Sequence, residues 1–150
     1  MKNLFDPKAK EEALSRIDKL EPGAIALWGK MNVNQGLRHM SLALDIPTGK
    51  LDPTLARVPP FPRWLLKFFL LNVKPPKEKA ETFTEINMIN NNINPADFEE
   101  ERSNLKKAVE AFFNAPSIIP ANKFAGRFSK KDWGKLSYSH IDHHLRQFGV

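Results

Sequence analysis

The chain has no cysteine. That absence excludes disulfides, thiolate zinc sites and cysteine nucleophiles together, so any metal must be held by nitrogen and oxygen. Long hydrophobic runs are missing too. The most apolar stretch, Trp64 to Val73, has eight apolar residues in ten, far short of the ~20 residues that span a bilayer. Strand-length alternation is absent as well: short pieces such as Ala24-Ile25-Ala26-Leu27 lack an alternating partner. No H-E-x-x-H motif occurs, since His140 is followed by Ile141, and there is no G-x-S-x-G elbow, Walker loop or dinucleotide fingerprint.

Basic runs go no further than pairs such as Lys130-Lys131, and the net charge of +6 is spread from Lys2 to Arg146, often beside acids. That pattern fits a solvated, mildly basic surface and argues against a dedicated nucleic-acid face. Met1 to Lys10 carries Lys2, Asp6, Lys8 and Lys10 and has no apolar signal-peptide core. A cytoplasmic location, with no transmembrane segment, is the expectation.

What is present is a 150-residue chain with 41% hydrophobic residues, expected to form one helical domain over residues 1–150 that buries about two-thirds of its unfolded surface. Asp6-Pro7 supplies a cap and a first helical proline, and Ala13, Leu14, Ile17 and Leu20 recur at helical spacing before Pro22-Gly23. A second helix starts near Asn32 or Asn34 and runs to about Asp45, with a stripe of Val33, Leu37, Met40 and Leu44. A third begins at Asn94-Pro95, has an acidic first turn and stops before Pro116. The last starts at Ser129, where Ser-Lys-Lys-Asp resembles a capping box, and runs to the C-terminus. Seven of the twelve prolines fall between Pro47 and Pro76, which breaks any continuous helix there. The expected fold is therefore all-α, a four-helix up-down bundle whose long proline-rich connection carries a short extra helix between the second and third main helices. That extra helix, Trp64 to Val73, is expected to be buried against one side of the bundle, with a subunit interface or a membrane surface as alternatives.

Three of the four histidines fall in Ser139-His140-Ile141-Asp142-His143-His144. On a helix His140 and His144 stack one turn apart, a spacing that suits two ligands to one divalent metal. Ile141, Leu145 and Phe148 mark the apolar side of a helical wheel, with His144 between that side and His140 and with His143 turned further toward solvent. His143 is thus expected outside the ligand set, in a supporting or exposed role. Gln147, three residues after His144, could orient a ligand or bond what the metal holds. Asp142 points away. The remaining histidine, His39, flanks the stripe of the second helix among Gln35, Gly36 and Ala43, two of them small, which lets a facing helix come close. Asn34 and Gln35 are candidates to position water or substrate. A set of hydrogen-bonded structural histidines remains the alternative on these residues alone.

The segments Leu136 to Gly149, Trp28 to His39 and Phe124 to Trp133 resemble the DinB-like family, within an uncharacterised bacterial branch, and the likeness runs from the first helix to Gly149. The resemblance implies a mononuclear divalent metal, commonly nickel or zinc, held by His39, His140 and His144. It also implies dimerisation, a small-molecule substrate, and either transfer or isomerisation with a low-molecular-weight thiol (bacillithiol, mycothiol or glutathione) or metal-dependent hydrolysis. No residue is singled out as catalytic. The rival expectations are a structural or passively metal-binding bundle and a protein associated with membrane surfaces or nucleic acid.

Overall fold

Proline at the first helical position loses no needed donor, and Asp6 accepts a hydrogen bond from the Lys8 amide at 2.9 Å, so the first helix, α1, spans Pro7–Asp18. In this computed structural model, which describes residues 2–55, 60–77 and 83–150, α2 is Val33–Asp45, α3 is Arg63–Asn72, α4 is Phe98–Phe113 and α5 is Lys130–Gln147. A 3-10 turn, Thr84–Ile86, lies between α3 and α4. Ahead of α5, Ala121–Asn122 pairs antiparallel with Gly126–Arg127, a sheet of two two-residue strands that no alternation foreshadows. The parts of the proline-rich connection at 56–59 and 78–82 lie outside the described residues.

Caps decide where the helices begin. Asn32 and Gln35 exchange bonds at the start of α2, and Ser129 and Asp132 do the same at α5, so both helices open where their sequences predict. α4 begins later than expected. Asp97 accepts from the Glu100 amide at 3.0 Å and takes the N-cap. Asn94 and Pro95 are left free to accept from α2, through Asn94 Oδ1 to Gln35 and the Pro95 carbonyl to Asn34.

α1, α2, α4 and α5 form the four-helix bundle, closed by the fully buried Leu37, Met40, Leu105, Phe112, Ile141 and Leu145. Its cross-contacts give the helix senses. Along α2, Asn34 meets Pro95 and Arg38 meets Glu101, so α2 and α4 run the same way. Glu12 meets Tyr138 and Arg16 meets Asp142, so α1 and α5 are also parallel. Lys10 meets Glu110 while Lys106 meets Asp18, which sets α1 against α4. The order is up, down, down, up. The long connection from Ile46 to Asp97 makes it possible, because the chain must travel back along the bundle, roughly 20 Å for a helix of this length, before α4 can start.

α3 forms where the sequence places an extra helix, but it is not buried as expected. Only Leu71 is buried, while Trp64, Phe68 and Phe69 are exposed. Apolarity alone does not supply a covering surface, and α3 meets the bundle through one side only, against α5 and the short sheet. Among the described residues no helix is long and apolar enough to cross a membrane.

Candidate metal centre

α2 and α5 approach closely because Gly36 faces Phe148: a Cβ at Gly36 would sit 2.3 Å from the Phe148 ring. One turn further along α2 this brings His39 opposite His140 and His144. His39 Nε2 lies 2.9 Å from His140 Nε2, and His140 Nε2 lies 3.2 Å from His144 Nε2. All three candidate ligand atoms fall within 4.8 Å of one another. This is the one such group of histidine or carboxylate side chains among the described residues.

Hydrogen bonds behind two of the rings set their tautomers. His39 Nδ1 donates to the Ile86 carbonyl at 2.7 Å, and His144 Nδ1 donates to Gln147 Oε1 at 2.8 Å. The Gln147 amide is itself oriented, since its Nε2 donates to the Trp28 carbonyl at 2.6 Å. Both Nε2 atoms are then bare acceptors directed at His140. A single proton on His140 Nε2 can serve at best one of the two short contacts well, and the other sets two lone pairs face to face. A divalent cation accepts all three lone pairs at once. Nitrogens bound to zinc at about 2.0–2.1 Å in a tetrahedron stand roughly 3.3 Å apart, close to the observed separations. The donor set fits a metal: three neutral imidazoles, two of them oriented from behind by oxygen acceptors.

Electrostatics keep the rings neutral. Burial pushes His39 down from its ordinary value, only partly offset by its bond to Ile86. Burial, then the neighbouring His144 and His39, hold His140 well below the usual histidine range. Burial and His39 push His144 down to about 3. Neutral imidazole is the form that binds a metal, so protonation does not compete near neutral pH.

The trio opens on a cavity of about 450 Å³. Its wall is largely apolar, with Phe69 and Leu70 from α3, Val73 just after it, and Ile86 and Met88 from the connection. The wheel misplaces His143. That residue is 8% exposed and lines this cavity, because the 27–29 segment folds over it: the Trp28 indole N–H donates to His143 Nε2 at 3.4 Å, and the Leu27 amide donates to the Gln147 carbonyl. In neutral His143 the ring proton therefore resides on Nδ1. Asn34 and Gln35 are not at the centre. Asn34 donates to the Pro95 and Ala96 carbonyls, and Gln35 is committed to the α2 cap, the Ile93 carbonyl and Asn94. Asp142 is held by Arg16 and Arg146, away from the trio.

Gln147→Leu should leave the His144 Nδ1 proton without an acceptor and free the ring to turn. The expected loss of divalent-metal affinity is about 10–100-fold, read by competition with a chromogenic chelator. Gln147→Glu, which keeps an acceptor for His144 but loses the donor to the Trp28 carbonyl, should recover only part of it. Equal affinity in the leucine variant would show that Gln147 does not orient His144.

Two participants were invisible to residue-type reasoning. Ile86 acts through its backbone carbonyl, which no side chain advertises. Trp28 lies in a segment without periodicity, and its only signal was its place beside the second helix.

Over residues 2–149 the chain matches the family model described as protein of unknown function DUF1569, and it belongs to that family. Neither the curated proteins nor the solved structures contain a match to it.

Proposed function

We propose that this member of the DUF1569 family is a metal-dependent enzyme. It admits a small molecule to the cavity beside His39, His140 and His144 and acts on it with a low-molecular-weight thiol, as a transferase, or by hydrolysis. The observation that carries this reading is the convergence of three Nε2 atoms on one point at the wall of an open, apolar cavity. Structural metal sites are closed by four protein ligands, whereas catalytic sites keep a position free for substrate. The resemblance to DinB-like proteins, carried by the histidine segments, supports the same choice, and imidazole ligands suit nickel and zinc alike.

A bound ion would supply Lewis acidity, activating a thiol or water and polarising the group under attack. The chain's own residues do the remaining work. Ile86 and Gln147 aim His39 and His144; Leu70, Ile86 and Met88 exclude bulk water; His143 offers the cavity a polar edge with its proton on Nδ1. With no cysteine in the chain, the thiol of a transferase reaction has to come from a small molecule.

The test is turnover by protein purified without a histidine tag and loaded with nickel or zinc, screened with glutathione, bacillithiol and mycothiol against electrophiles, and separately with activated esters and amides. Turnover that disappears on chelation and in His144→Ala is the expected result. A fully loaded protein with no turnover in either screen would favour a passive metal-binding bundle.

A further inference from the structure

α3 does two things at once. Its inner side, with Val73 just past its end, contributes Phe69 and Leu70 to the wall of the histidine cavity, and its outer side exposes Trp64 at 71% and Phe68 at 54%, with Phe61 just ahead of the helix also exposed. Large aromatic side chains left this open form a patch that single scattered apolar residues do not. Charge along this stretch of the chain is of one sign. Residues 53–77 hold Arg57, Arg63, Lys67, Lys74 and Lys77 and no acid. The acid that faces α3 from α5, Asp132, is taken by Lys67 at 2.9 Å. Arg63 and Lys74 are exposed at or just beyond the two ends of α3, and Lys77, also exposed, lies 4.9 Å over the Trp28 ring.

We propose that α3 is a membrane-docking helix that seats the mouth of the histidine cavity on an anionic lipid surface. Ten residues make a helix of about 15 Å, which can lie in the headgroup layer but cannot span it. Trp64 and Phe68 enter the acyl boundary, and the basic rim meets anionic headgroups. Charge decides between this occupant and a second copy of the chain. A two-fold contact through α3 would bring the same cationic rim against itself, whereas an anionic bilayer complements it. Because Phe69, Leu70 and Val73 also line the cavity, docking places the cavity entrance at the lipid.

The test is co-sedimentation of the full chain with phosphatidylcholine vesicles, with and without phosphatidylglycerol. The wild type should pellet with phosphatidylglycerol vesicles, not with phosphatidylcholine alone, and binding should fall as salt rises. Trp64→Glu with Phe68→Glu should weaken binding about tenfold or more, and Arg63→Glu should weaken the preference for anionic lipid. Circular dichroism and metal affinity should be unchanged in both variants, as these side chains are exposed and outside the trio. Binding should also persist with a chelator, so failure of the metal reading and failure of docking are distinguishable. The proposal is overturned if the wild type does not pellet with anionic vesicles or if the glutamate pair binds as the wild type does. It is also overturned if that pair dissolves a wild-type dimer, which would assign this face to a second copy.

Discussion

Replacing His140 with alanine is expected to weaken nickel and zinc binding by about a hundredfold or more while leaving the metal-free fold at least as stable. His140 is the middle nitrogen, within 2.9 Å of His39 Nε2 and 3.2 Å of His144 Nε2. Four-ligand zinc sites are worth about 10–16 kcal/mol, or about 3 kcal/mol per ligand, and each 1.4 kcal/mol is tenfold in affinity. The stability half distinguishes the metal account from a structural one. If the three rings were a hydrogen-bonded core network, removing the middle ring would strand its neighbours and cost about 1–3 kcal/mol. In the metal account the apo site holds facing lone pairs, and alanine relieves them. Titration calorimetry with metal and urea unfolding without it read the two halves on one variant.

Acid is expected to unfold the metal-free protein early and steeply. His39, His140 and His144 all have pKa values depressed by burial, that of His144 to about 3. The unfolded chain takes up protons near pH 6.5 and the folded chain does not, so below that value the unfolded state binds more protons and stability falls with pH. Above about pH 6.5 this contribution is flat. Below it, each of the three rings adds a slope of up to about 1.4 kcal/mol per pH unit, continuing until its folded pKa is reached. Three such rings acting together would exhaust an ordinary stability of roughly 5–15 kcal/mol within a few pH units. Urea midpoints between pH 7.5 and 4.5 measure the slope, and His140→Ala and His144→Ala should each reduce it. A midpoint independent of pH across that range would mean that the rings charge freely in the folded state.

Much of the bundle was legible because its signals are local. Asp6-Pro7, Asn32 with Gln35, and Ser129 with Asp132 mark helix starts through side chains that satisfy free amides. The stripe of Val33, Leu37, Met40 and Leu44 gives the buried side of α2. The histidine trio was legible for the same reason, since His140 and His144 share a helix face and His39 was the one remaining candidate. What escaped depends on contacts between distant segments. His143 looked solvent-facing because a wheel knows only its own helix, and Trp28 covers it from another segment. Asn34 and Gln35 looked available, yet residues 93–96 claim both. The shared sense of α2 and α4 follows from how the connection between them travels, which no periodicity records. α3 was recognisable as apolar, but composition does not say whether anything covers it.

Elemental analysis of protein purified without a histidine tag, exposed to nickel or zinc and then dialysed, tests the central claim most directly. The account predicts roughly one divalent ion per chain, lost in His140→Ala and in His144→Ala while both variants remain folded by circular dichroism. A wild type that retains no metal, or alanine variants that retain as much as the wild type, would contradict it.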